Sequence, residues 1–147
     1  MESSESRPLL LDVNALVALA WPNHQFHTAV LKRLEKQPNP RWATCALTQL
    51  GFVRLSSNPV IVEVRKRPVE VVSLLADLIR HPQHVYLETL PELPQAASFF
   101  HHLIGHQQVT DAYLLAVASA NGATLLTTDH RIVPPRGTGA SIEVIKQ

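Results

Sequence analysis

Five short apolar runs, Leu9–Leu11, Trp42–Thr44, 84–87, Thr124–Thr127 and 142–145, are separated by longer stretches of helical periodicity. This alternation narrows the possible folds more than any other feature of the chain. Runs of three or four apolar residues bounded by turn formers read as buried strands. Strands that alternate with helices pair in parallel, because each helix carries the chain back across the sheet. The expected class is therefore α/β with a mainly parallel sheet.

The helical stretches have different characters. Residues 13–19 follow Asp12, a good N-cap, and stop near Trp21 and Pro22. A second helix is expected over 24–36, with Phe26, Val30 and Leu34 on one face and Lys32, Arg33, Glu35 and Lys36 on the other. A third covers about 48–55, ended by Asn58 and Pro59, and a fourth starts at Pro68 with Val72, Leu75 and Ile79 as its apolar stripe. A fifth is expected over 94–103. The segment Val109–Ala120 has almost no polar face, which predicts a helix buried on most sides, and Asn121-Gly122 suits its C-terminal stop.

Composition limits the function classes. At 147 residues the chain fits one domain, 1–147, with a core over about 8–145. Its 46% apolar and 17% charged residues belong to a globular protein, and a net charge of +1 announces no nucleic-acid partner by itself. Cys45 stands alone, so no internal disulfide can form, which suits a reducing compartment. No run approaches the roughly 18 apolar residues of a membrane span. The acidic opening Met1–Ser6 and the early Asp12 do not make a signal peptide. A soluble, cytoplasmic protein is expected.

Ligands of open parallel sheets bind beyond the carboxyl ends of the strands. Asp12 closes the first strand, Asp129 follows the run Thr124–Thr127, and Asp111 opens the buried helix before that run. Each aspartate has a plain structural account as an N-cap, a first-turn acid or a turn former. Their convergence on one rim changes the balance, because clustered carboxylates repel and a hard cation with oxygen ligands relieves that repulsion.

Leu9-Leu10-Leu11-Asp12-Val13-Asn14 resembles the opening motif of PIN domains. Residues 109–116, Val-Thr-Asp-Ala-Tyr-Leu-Leu-Ala, look like that family's third acidic motif, and Leu125-Leu126-Thr127-Thr128-Asp129 like its Thr-x-Asp motif. With the segment 44–59, the order is similar to that of VapC toxins from bacterial toxin–antitoxin pairs, over nearly the whole chain. The resemblance implies a PIN-like three-layer α/β/α sandwich with about five strands. It implies a Mg²⁺-dependent endoribonuclease, with Mn²⁺ as a substitute, whose catalytic and metal-binding set is Asp12, Asp111 and Asp129. It further implies an RNA substrate, a cognate VapB-type antitoxin and a homodimer. Asn14 and Thr127 would orient the ligands, and Arg54 and Arg131 are candidates for holding RNA phosphates. One position departs from the pattern. Gln49 stands where the family usually has Glu, so the site lacks one negative charge, and a single ion is expected rather than two.

Other signals are weaker. His24 and His27, and the group His101, His102 and His106, have no cysteine or further histidine at a supporting interval and read as surface residues. No glycine-rich phosphate loop is present. A phosphatase of the Asp-x-Asp type fits poorly, since Asn14 stands two residues after Asp12. The alternative of a different class is a non-catalytic PIN-like module that binds RNA or protein, which Gln49 and the small net charge favour.

Overall fold

The computed structural model describes residues 7–36, 38, 40–63 and 65–146, so the acidic opening segment lies outside the described residues. Five parallel strands, β1 (Leu9–Leu11), β2 (Trp42–Thr44), β3 (His84–Tyr86), β4 (Thr124–Thr127) and β5 (Ile142–Val144), form one sheet in the order β3-β2-β1-β4-β5. Leu9 lies beside both Trp42 and Thr124, which places β1 at the centre, its inward position set by three leucines buried on both faces.

Strand side chains alternate between two cores. Leu9, Leu11, Trp42 and Leu126 face α1 (Val13–Ala20), α2 (His27–Glu35), α3 (Ala46–Ser56) and α5 (Pro68–Leu78). Leu10, Ala43 and Leu125 face α6 (Val109–Ala120) on the other side. The result is the expected three-layer α/β/α arrangement, and its sheet is wholly parallel. The long apolar helix is as read: Ala112 and Leu114–Ala118 are buried in α6, and Gly122 beyond it takes φ +64°. No helix among the described residues is long and apolar enough to cross a membrane.

Four expectations need correction. The second helix begins at His27, not 24, because the chain after Pro22 is held in a turn in which the His24 ring accepts from the Phe26 amide. In α5 Leu75 is buried and Ile79 packs against the core as expected, but the first stripe position is Val71 and not Val72, which is exposed. The stretch expected as a helix over 94–103 is a 3₁₀ turn series over Leu93–Phe99. It buries Ala96 and no other residue, so it lacks the apolar face that would stabilise a full α-helix. Asn58-Pro59 ends α3 and also starts a further short helix, α4 (Pro59–Val62), whose first turn is capped by the Asn58 side chain accepting from the Val60 amide at 3.0 Å.

Gly51 fixes the distance between α1 and α3. A Cβ at this buried helical position would lie 2.5 Å from Val13 Cγ2 and 3.0 Å from Cγ1. Valine has little rotameric freedom with which to withdraw. Replacing a helical glycine by alanine ordinarily gains up to about 1 kcal/mol, but overpacking here costs about 1–3 kcal/mol. Gly51→Ala is therefore expected to lower stability in urea denaturation by about 1 kcal/mol. Val13→Ala in the same background is expected to turn the glycine replacement into a gain.

Candidate active site at the carboxyl rim

The parallel sheet brings the ends of β1 and β4 side by side, and Asp12 sits at that junction. Its amide donates to the Leu126 carbonyl at 3.0 Å, extending the ladder by one residue. Its side chain then leaves the strand and caps α1, Oδ1 accepting from the Ala15 amide at 2.7 Å. Oδ2 accepts from the Thr127 hydroxyl at 2.5 Å. That hydroxyl in turn accepts from the Asp129 amide at 2.9 Å, so one side chain organises both aspartates. Each oxygen of Asp12 thus has one protein donor, and a carboxylate oxygen can accept two bonds. A lone pair remains on each for a further ligand.

Asp12 is 3% exposed. Burial raises its pKa from 3.8 to about 6; the bonds from Thr127 and Ala15 oppose the rise, and the charges of Asp111 and Asp129 add to it. Asp111, in the first turn of α6, is also raised, by burial first and then by Asp129. The three carboxylates are therefore within electrostatic reach of one another. The N-termini of α1 and α6 point their positive dipole ends at this acidic rim. Gln108, the residue before α6, adopts φ +67°, an uncommon conformation for a side chain other than glycine, where the chain turns to present Asp111.

Asp129 behaves differently. Its carboxylate is gripped by the Arg131 guanidinium, Nε on Oδ1 at 2.9 Å and Nη2 on Oδ2 at 2.8 Å, and that ion pair holds its pKa below the usual value. Among the described residues no three His, Cys, Asp or Glu side chains already close on a common point. That geometry is compatible with Mg²⁺, which ordinarily takes one or two carboxylates and keeps several waters. The donor chemistry of Asp12 and Asp111, all oxygen and under mutual repulsion, fits such an ion.

The remaining candidates separate by position. Asn14 is exposed on the first turn of α1. Gln49 lies in the first turn of α3, but its Nε2 donates to Thr44 Oγ1 at 3.0 Å, and no hydrogen bond joins it to the aspartates. Thr44 Oγ1 lies 2.8 Å from His84 Nε2, and burial lowers the pKa of that imidazole. A neutral His84 accepting from Thr44 satisfies the whole chain of donors. This Gln49–Thr44–His84 relay escaped sequence reasoning, because its members come from three elements. Arg54 is exposed in the last turn of α3, about 12 Å along the helix from its rim end. Arg131 is at the rim but committed to Asp129.

Residues 9–134 match the PIN domain. The chain is 33% identical to ribonuclease VapC39 of Mycobacterium tuberculosis over 137 residues, covering 92% of this chain and 98% of that one. It is 37% identical to ribonuclease VapC38 of the same species, covering 82% and 84%. The chain belongs to the PIN-domain family, in its VapC branch. Its fold is also similar to VapBC2 from Rickettsia felis, a crystal structure with a promoter DNA fragment, at TM-score 0.60, 16% identity and coverage of 94% and 98%. A second PIN-fold likeness is to Mycobacterium tuberculosis VapC20, a sarcin-ricin loop cleaving toxin, at TM-score 0.57, 15% identity and coverage of 80% and 86%.

The raised pKa of Asp12 gives this PIN domain a stability signature. The folded state holds the proton more tightly than the unfolded chain does. The group's favourable contribution is complete below about pH 4 and is lost as pH rises through about 6. Without divalent metal, wild type is expected to lose roughly 3 kcal/mol from this group across that window. Asp12→Asn should remove most of the loss, as read from urea unfolding at pH 4, 5, 6 and 7 (about one unit apart). An equal loss in both proteins would assign the effect to other groups.

Proposed function

We propose that the chain is a divalent-metal-dependent endoribonuclease, the toxin of a VapBC-type pair. The observation that carries this reading is the desolvated Asp12, raised to about pKa 6 beside Asp111 and Asp129 at the carboxyl rim of the sheet. Once ionised, a buried acid under such strain costs stability, and it becomes useful when a cation offsets the charge. The names of its relatives, ribonucleases VapC39 and VapC38, support the choice of RNA.

Asp12 and Asp111 would hold the ion, Mg²⁺ or Mn²⁺, with Asp129 reaching it directly or through water. When bound, the ion supplies positive charge that polarises the phosphodiester and lowers the pKa of the attacking water. The protein's own contribution is positional. Thr127 fixes one oxygen of Asp12 and the α1 N-terminus fixes the other; Asn14 and Gln49, in the first turns of α1 and α3, would lend uncharged oxygens. Arg131 keeps Asp129 ionised and could pass from that carboxylate to an RNA phosphate. Arg54 remains a more distant candidate for the RNA backbone. With Gln49 uncharged, one ion is favoured over two.

An antitoxin and a homodimer complete the reading. Leu50, Val60, Ile61, Val69, Val72 and Leu74 are exposed on α3, α4 and α5 and offer apolar side chains that a partner would cover. The VapBC2 likeness supports an antitoxin as one partner.

Single-stranded RNA is expected to be cut in Mg²⁺ or Mn²⁺. Asp12→Ala and Asp111→Asn should each slow cleavage by roughly a hundredfold or more. Equal cleavage by all three proteins would mean a contaminating nuclease. The rival reading, a non-catalytic binding module, is favoured by Gln49 and by the Arg131 grip on Asp129. It predicts no cleavage and no rise in melting temperature with millimolar Mn²⁺, whereas the nuclease reading predicts a rise that Asp12→Ala abolishes.

A further inference from the structure

A second charged site lies away from the three aspartates, between α2 and β5. Arg33 of α2 donates through Nε and Nη2 to the carboxylate of Glu143 on β5, the Nη2 bond being 2.9 Å. Its remaining nitrogen, Nη1, is buried without a hydrogen-bond partner. Above this pair lies a shallow, widely open cleft of about 520 Å³ lined by Lys32, Arg33, Glu35, Lys36, Glu143 and Lys146, among others. Lys32, Lys36 and Lys146 are exposed and form no ion pair among the described residues. With Arg33 and Glu143 cancelling, three lysines face one carboxylate, Glu35. In a chain of net charge +1, that is a local concentration of positive charge.

The cleft is placed to matter for the aspartate rim. Lys146 follows Ile145, whose amide donates to the Thr127 carbonyl at 2.7 Å, and the Thr127 hydroxyl holds Asp12. Two strand spacings, about 10 Å, separate β5 from the strand that ends in Asp12. An RNA strand approaching three carboxylates is repelled, and the whole chain has no net field to offset this. Lys146, just past the rim end of β5, and the two α2 lysines that share its cleft supply that offset. The cleft's chemistry suits a phosphodiester backbone more than a protein partner. Lysine acts as a mobile point charge toward phosphate, and it is depleted where proteins pack together.

We propose that this cleft is a phosphate-binding channel for the RNA strand cut at the aspartate rim, with Lys32, Lys36 and Lys146 as its contacts. The proposal rests on the ribonuclease reading and extends it to how substrate is held. Binding of a labelled single-stranded RNA oligonucleotide, measured in EDTA across a salt series, tests it without requiring cleavage. Each lysine-to-glutamine replacement is expected to flatten the slope of log affinity against log salt by about 0.7, and Lys32→Gln/Lys36→Gln/Lys146→Gln together by about 2. With Mn²⁺ present, the triple variant should cut long RNA with raised KM and little change in kcat. Because all three side chains are exposed, its melting temperature should match wild type.

An unchanged salt slope in a protein that still cuts RNA in an Asp12-dependent way overturns the channel and leaves the nuclease reading intact. No cleavage and no RNA binding by wild type removes both. If the triple variant binds RNA normally but changes its oligomeric state, or no longer binds an antitoxin, the cleft is a protein-docking surface and the channel is overturned.

Discussion

The burial of Asp12 where β1 passes into α1 is the constraint around which the rest of the molecule is arranged. Its amide extends the β1–β4 ladder, its Oδ1 caps α1, and its Oδ2 takes the Thr127 hydroxyl from β4. Removing a carboxylate from water costs several kcal/mol, and hydrogen bonds return part of that. The cap alone is worth about 1 kcal/mol. The residual strain, visible in the raised pKa, is stored where charge is useful, beside Asp111 and Asp129.

Around this point the surface is divided by chemistry. The carboxylates stand at the ends of the inner strands β1 and β4 and the start of α6, the lysines without an ion pair among the described residues between α2 and β5, and the exposed apolar side chains on α3, α4 and α5. Two arginines connect the regions in different ways. Arg131 neutralises Asp129 at the rim, exposed enough to exchange partners, while Arg33 is packed against Glu143 and fastens α2 to the sheet edge. An exposed ion pair contributes little to stability and can be given up easily; a partly buried one is far harder to break.

Much of this was legible in the sequence wherever the determining interactions are local or the burial is extreme. Leu9–Leu11, Trp42–Thr44 and Thr124–Thr127 are strands because runs this short and apolar fit the middle of a sheet covered on both faces. Val109–Ala120 reads as a central helix for lack of a polar face, and Asp12 reads as a cap from its place before Val13. The reading failed where weak local signals were settled by packing. Val71 and Val72 are chemically identical, and which one is buried in α5 depends on how that helix rolls against α3. Residues 94–103 carry apolar side chains, but of the Leu93–Phe99 turns only Ala96 is fully buried, with Phe99 partly so against the α6 core.

The site divides along the same line. The identities of Asp12, Asp111 and Asp129, their order, and the missing charge at Gln49 were set by the sequence, because they depend on residue type and on which strand or helix end each one occupies. Tertiary structure alone decided that Thr127, expected only to orient the ligands, would take Asp12 as its partner, that Thr44 would meet His84, and that Lys146 would join Lys32 and Lys36 across more than a hundred intervening residues. The physical reason is range. A cap or a strand end is fixed within a few residues of chain, whereas the partner of a polar side chain is whatever donor or acceptor the packing of distant elements brings within about 3 Å.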